Sequence, residues 1–209
     1  MLDLTGPWQT RSNRSIGAPC ILCSDGRINT ELNHRIGMAR ADFDKLSRVW
    51  SHASISCNRK VEVFNACVAS KLMYCLNTAW LNSAELTKLD AFQAKCLRKI
   101  AGVKPSYWSR VSNESVRAKL CCEPLSRMLL QQQLIYFGKL ARNPTGDVLR
   151  DAVFKPYSYS LCETPGRRRK GRPRKCWGQE LYNISLRVES NMWDATTWKT
   201  AVQKYCLGS

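Results

Sequence analysis

Apolar residues recur in steps of three and four along most of this chain. Leu32, Ile36, Ala39, Phe43, Leu46 and Trp50 form the first such stripe. The spacing puts them on one face of a helix over about residues 30–50, with Asn29 or Thr30 as its cap. Val61, Phe64, Val68, Leu72, Cys75 and Ala79 predict a second helix over about 58–80, capped by Asn58. Leu86, Leu89, Phe92, Cys96, Leu97 and Ile100 predict a third over about 83–101. Asn82 followed by Glu85 has the form of a capping box, Gly102 closes the helix, and Pro105 prevents a restart.

A short helix over about 113–120 follows. A longer one over about 124–142 has Pro124 in the favoured first position. Its broad apolar run of Leu125, Met128, Leu129, Leu134, Ile135 and Phe137 predicts deep burial, and Asn143-Pro144 stops it. Residues 147–154 suit one or two further helical turns. Pro, Gly, Ser and basic residues dominate 156–175, which predicts an exposed linker. A weaker helical pair, about 176–188 and 194–206, closes the sequence. Residues 1–24 lack a period and hold Gly6, Pro7, Gly17 and Pro19, so they predict an irregular segment with room for a short strand at 20–23. Asp25-Gly26 is a turn signal. No internal repeat and no multi-stranded sheet is legible. The expected fold is mainly α: a bundle of about five helices, a basic linker and a small helical tail.

Charge changes this picture. Lys and Arg number 33 against 16 acids, a net charge of +17, which favours a polyanionic partner. The excess is concentrated at 166–175, where seven of ten residues are basic: Arg167, Arg168, Arg169, Lys170, Arg172, Arg174 and Lys175. Lys170-Gly171-Arg172-Pro173-Arg174-Lys175 resembles an AT-hook. Gly171 and Pro173 would keep a narrow extended backbone around Arg172, a shape suited to the minor groove of A·T-rich DNA. A generic basic linker or a nuclear-import signal accounts for the same residues. Arg35, Arg40, Lys45, Arg48, Arg59, Lys60, Arg98, Lys99 and Lys104 are further candidates for phosphate contacts from the helices. Each taken singly is equally well an ordinary solvated helix residue. Arg59 and Lys60 oppose the dipole of their own helix, at a cost of a few tenths of a kcal/mol, roughly.

Four aromatic residues suit base stacking: Trp50, Trp80, Tyr107 and Trp108. Trp50 continues the first stripe and Trp80 ends the second helix, so both are expected in the core. Tyr107-Trp108 follows Pro105 in a loop and is the expected exposed pair, unless it covers the helix ends.

Catalytic signatures are missing from the sequence. Asp42 and Asp44 are the nearest carboxylate pair, but two residues apart on a helix they point to different sides and cannot share a metal. No Asp-Asp dipeptide, phosphate-binding loop or nucleophile motif near His34 or His52 occurs. Cys20 and Cys23 form a CxxC, with His34 the nearest further ligand and no second pair to close a tetrahedron, so no metal and no cofactor is expected. The eleven cysteines are scattered. Cys67, Cys75 and Cys96 fall in helix interiors and read as reduced, buried thiols of an intracellular protein. No apolar run approaches the length of a membrane span, and residues 1–10 do not have the form of a secretory signal.

Several segments, taken in order, resemble LINE-type (non-long-terminal-repeat) retrotransposon reverse transcriptases. Ser24-Asp25-Gly26-Arg27-Ile28, then Glu31 to Arg40, then Ala41-Asp42-Phe43-Asp44-Lys45-Leu46 with Trp50, look like the region after the polymerase palm. Tyr74 to Trp80 resembles the family's Tyr-Gly-x-Glu-x-Trp segment, departing at Cys75 and Asn77. Leu89 to Gly102 resembles its next helix. Tyr136 to Arg142 resembles a Leu-Gly-His-x-x-Arg stretch with Lys139 in place of His, and Gly166 to Trp177 is similar to a Gly-Arg-Pro-x-x-x-Trp tail. The resemblance spans about residues 24–178. The family's polymerase aspartates precede this region, and Ala18-Pro19-Cys20-Ile21-Leu22 stands where its Tyr-Leu-Gly primer-side motif is expected.

The resemblance implies a thumb-like three-helix region over 25–110, further helices packed on it over 111–155, an AT-hook-like linker over 156–175 and a helical tail over 176–209. It implies RNA and DNA partners, an RNA–DNA hybrid or an A·T-rich duplex, with a palm-bearing polymerase segment in the parent protein. The expectation is a truncated, non-catalytic remnant that grips a template–primer backbone in the nucleus. A stand-alone helical DNA-binding protein, a protein-interaction bundle and a decayed reading frame are the other readings of the same residues.

Overall fold

A computed structural model describes residues 28–51, 54–162, 175–188 and 191–208. The expectation of a mainly helical bundle holds. Among the described residues no strand forms, and Phe154 and Leu161 make an isolated antiparallel bridge.

Helix α1 spans Asn29–Ser51 and begins at the residue expected to cap it. Asn29 Oδ1 instead accepts from Asn33 Nδ2 at 3.4 Å and from Lys88 Nζ at 3.1 Å. Leu32, Ala39, Phe43 and Trp50 are buried, with Trp50 edge-on to Phe43 at 5.8 Å.

The second predicted helix forms, but in pieces. Helix α2 covers Cys57–Phe64, capped by Ser56 rather than Asn58; Ser56 Oγ accepts from Arg59 N. It runs through a π-helical turn, Asn65–Ala69, into α3, Ser70–Met73. The wider turn inserts a residue into the ladder and buries adjacent pairs, Val68 with Ala69 and Leu72 with Met73. Helix α3 stops well short of Trp80. Tyr74 leaves the helical region, Cys75 takes a left-handed φ of +61°, and a 3-10 turn follows at Leu76–Thr78. The freed carbonyls find distant donors. Gln133 Nε2 donates to Leu76 O at 3.3 Å and Ala79 O at 2.6 Å, and Trp177 Nε1 donates to Asn77 O at 2.9 Å. Tertiary hydrogen bonds replace the helical ones, as buried backbone requires.

Helix α4, Ser83–Ile100, has the expected capping box: Glu85 N donates to Asn82 Oδ1 at 2.9 Å, and Asn82 N to Glu85 Oε2 at 2.8 Å. A turn of helix, α5, occupies Ser106–Ser109 where a loop was expected. Helix α6 spans Asn113–Lys119 with Ser112 as cap. Helix α7 is Leu125–Arg142. Pro124 sits at the cap, one position before the helix, and has no capping side chain. Helix α4 supplies that service: Gln93 Oε1 accepts from Leu125 N at 3.2 Å and Asp90 Oδ1 from Ser126 N at 2.9 Å. A carboxylate there also suits the positive end of the helix dipole.

The interior divides along α7. Its first half, Leu125 and Leu129, closes a core with α1 to α4 and α6. Its second half, Leu134, Phe137, Leu140 and Ala141, builds a second core. The partners there are Phe154, α9 (Trp177–Ser185) and α10 (Ala195–Gly208). The short helix α8, Val148–Asp151, leads into this second core.

The start of the expected linker is folded, not free. Lys155 N donates to Ser160 O at 2.8 Å and Cys162 N to Val153 O at 2.9 Å. Arg150, buried, donates from Nη2 to Ser158 O at 3.1 Å and lies over the Phe154 and Tyr159 rings. Trp177, whose Nε1 donates to Asn77 O, also packs 5.9 Å from Phe137. A Cβ placed at Gly178 would touch Val153 and Leu161, so residues 161 and 178 lie side by side. The CxxC at 20–23, the turn at 25–26, His52 and residues 163–174 lie outside the described residues.

Candidate nucleic-acid interface

Of the sixteen cations named from the sequence, those among the described residues do not share one environment. Two of these are interior. Arg35 is 3% exposed and pairs with Glu31 one turn earlier, while Nη1 donates to Lys71 O at 3.4 Å. Arg98 is 7% exposed, and its guanidinium is filled by Asn113 Oδ1 (2.9 Å), Lys104 O (2.9 Å), Val111 O (2.5 Å) and Ser109 Oγ (3.4 Å). Both leave the set of phosphate candidates. A guanidinium held in the interior on partners of its own reaches a phosphate only by stranding the groups it satisfies.

A second group lies on the exposed arc of α1 and on the two helices that flank it. Arg40, Lys45 and Arg48 are exposed there. Asp42 lies beside Lys45 Nζ at 3.7 Å and accepts from Lys71 Nζ of α3 at 2.9 Å. That carboxylate hydrogen bond raises the Lys71 ammonium above its ordinary value. Asp44 accepts from Lys99 Nζ of α4 at 3.2 Å, and the same ammonium lies over the Phe43 ring. The two aspartates thus face different helices, as the helical spacing requires. Five cations stand against these two carboxylates, so this surface keeps a positive excess. Lys71 was not among the sequence candidates; only the crossing of α3 over α1 brings it to Asp42.

The third group surrounds the turn after α4. Cys57 Sγ donates to Ile100 O at 3.6 Å, which sets the first turn of α2 against this end of α4. Arg59 in that turn pairs with Glu62 at 2.5 Å, and Lys60 is half-buried. Lys104 is exposed, as is Arg110, a cation the sequence reading passed over. Between them stand Tyr107 and Trp108, 81% and 74% exposed, with rings 5.4 Å apart and perpendicular. Trp80, by contrast, is half-buried and packs with the second core.

Lys175 is the described end of the basic segment. Its ammonium lies 3.3 Å from Glu180 Oε2 and 6.0 Å from the Trp80 ring centroid. Arg167, Arg168, Arg169, Lys170, Arg172 and Arg174 lie outside the described residues.

Neither a family model, a curated protein nor a solved structure matches this chain. The functional reading therefore stands on the residues themselves. Among the described residues, no three His, Cys, Asp or Glu side chains are grouped to hold a metal. No described helix is long and apolar enough to cross a membrane. Cys96 is buried, and burial pushes its thiol up to about 12. Cys67 is exposed and Cys75 half-buried, so the expectation of three buried thiols holds for Cys96 alone.

Proposed function

We propose that this chain is a nucleic-acid-binding module, the counterpart of the thumb and downstream tail of a LINE-type reverse transcriptase, with no bond-making chemistry of its own. The observation that carries the reading is the excess of exposed cations on α1 and its two flanking helices, Arg40, Lys45, Arg48, Lys71 and Lys99, over the carboxylates Asp42 and Asp44 that lie among them. From Arg40 to Arg48 the helix rises about 12 Å. Over that length a duplex presents about seven phosphate charges. Exposed cations of this kind contact a backbone without reading sequence. The seven basic residues at 166–175 add a second source of positive charge, tethered to the bundle through Trp177.

The region grips a template–primer duplex, an RNA–DNA hybrid above all, beside a palm-bearing segment. The nucleus is the compartment where such a partner and such a basic segment meet. The Gly171-Arg172-Pro173 core supports a second reading, in which the chain acts through an A·T-rich minor groove.

One comparison separates the two. The full chain and a chain lacking 166–175 are titrated with an RNA–DNA hybrid and with an A·T-rich duplex. Retained hybrid binding by the deleted chain, and its loss in Arg40→Ala/Arg48→Ala/Lys71→Ala, supports the thumb-like reading. Complete loss on deletion, with preference for A·T-rich DNA, supports the minor-groove reading. Primer extension on an RNA template with magnesium would contradict the non-catalytic part.

A further inference from the structure

We infer that Tyr107 and Trp108 form a stacking platform for unpaired bases, with Lys104 and Arg110 taking the adjoining phosphates. This rests on the nucleic-acid reading above and adds a ligand for one loop: a single-stranded segment.

Two large rings, neighbours in sequence, are both about three-quarters exposed or more. An aromatic ring ordinarily gains by burying its surface, and the chain on either side of these two does reach the core, at Ile100 and Val103 before them and Val111 after. The loop's anchoring keeps them out of it. Arg98, fixed in that core, holds the carbonyl of Lys104 on the entering side and that of Val111 on the leaving side, and Ser109 Oγ between them. Gly102 at φ +66° and Arg110 at φ +56° turn the chain at either end. Ser109 Oγ also accepts from Val111 N at 3.3 Å. The base of the loop is therefore rigid while its tip carries apolar ring faces into solvent.

Charge selects the occupant. Between Ala101 and Ser112 the only ionisable charges are Lys104 and Arg110, one on each side of the rings, and both are exposed. Flat apolar faces flanked by cations match a strand of bases joined by phosphates. Paired bases inside a duplex present edges, not faces, so the ligand is unpaired or at a duplex end.

The test uses the full chain, a fluorescent oligo-uridylate, the same strand bearing 5-iodouracil, and an RNA–DNA hybrid. The variants are Tyr107→Ala/Trp108→Ala and the conservative Tyr107→Phe/Trp108→Phe; circular dichroism checks that each stays folded. The platform predicts that the alanine pair weakens oligo-uridylate binding by about tenfold or more while the phenylalanine pair stays near wild type. It also predicts photocrosslinks at residues 107 and 108 and little change in hybrid binding. Equal oligo-uridylate binding by the alanine pair, with crosslinks elsewhere, overturns the platform but leaves the duplex reading intact. Failure of the folded wild type to bind either nucleic acid overturns both. Self-association that the alanine pair abolishes, with single-strand binding unaltered, overturns the platform in favour of a protein interface.

Discussion

The indole of Trp198 lies across Gly138. A Cβ at position 138 would stand 2.3 Å from Trp198 Nε1 and 2.5 Å from its Cδ1. The same Nε1 donates to Leu134 O at 3.0 Å, one turn earlier on α7, so α10 is seated by one glycine and one carbonyl.

This contact sets two small effects in opposition. Gly138→Ala gains about 1 kcal/mol of helix propensity. The clash with a fully buried indole costs about 1–3 kcal/mol and pulls the Trp198 bond out of line. The clash wins, and the variant is expected to lose about 1 kcal/mol, read as a lowered denaturant midpoint at unchanged slope. A stabilised variant would mean the helices are not this close.

Arg98 should govern the order of the aromatic loop. Arg98→Met keeps the stem but leaves the carbonyls of Lys104 and Val111 without their donor. A cost of about 2–3 kcal/mol is expected, since these bonds come from a charged, buried group. Chymotrypsin should cut the variant at Tyr107 and Trp108 faster than the wild type, at temperatures where both remain helical. Equal cleavage rates would show that the loop is held by something else.

Thiol labelling should divide the cysteines by burial. Among the described cysteines, Cys57, Cys67, Cys121 and Cys176 are exposed, whereas Cys96 and Cys206 are buried. Desolvation raises the Cys96 thiol to about 12 and raises Cys206 and Cys122 as well, which suppresses the reactive thiolate. Iodoacetamide near neutral pH, followed by peptide mass spectrometry, is expected to modify these four before Cys96 and Cys206. Early modification of Cys96 would contradict the packing of α4.

Several elements were legible because their signals are local. The capping box at Asn82 and Glu85, the stripe of α1 and the Asn143-Pro144 stop each depend on residues within a turn or two. The break at Tyr74 was not legible, because its carbonyls are satisfied by Gln133 and Trp177, the latter 100 residues away in sequence. Residue type alone suggested surface for Arg35 and Arg98. The Glu31–Arg35 spacing was a usable hint of internal pairing, whereas the clamp of Arg98 on a loop carbonyl 13 residues later left no local trace. Lys71 and Arg110 joined the candidate surfaces only through helix crossing and loop geometry.

Asp194 should give α10 an acid-sensitive start. Its carboxylate accepts from the hydroxyls of Thr197 and Thr196 and from their backbone N–H groups, which holds it down at about 2. A folded value below the unfolded one stabilises above about pH 4 and loses that contribution as pH falls through about 2. The stability difference between wild type and Asp194→Asn is expected to be full at neutral pH and to vanish toward pH 2. A difference independent of pH would rule out the charged cap.

The central claim, exposed cations of α1 and its flanking helices meeting a phosphate backbone, is tested most directly by the salt dependence of hybrid binding. Equilibrium titrations of the full chain with an RNA–DNA hybrid, between about 50 and 200 mM salt, should give a straight fall of log K with log salt concentration. Arg40→Ala/Arg48→Ala/Lys71→Ala should make that slope shallower by up to about 0.9 per phosphate contact removed. No binding at the lowest salt, or a slope that the three substitutions leave unchanged, would contradict the account.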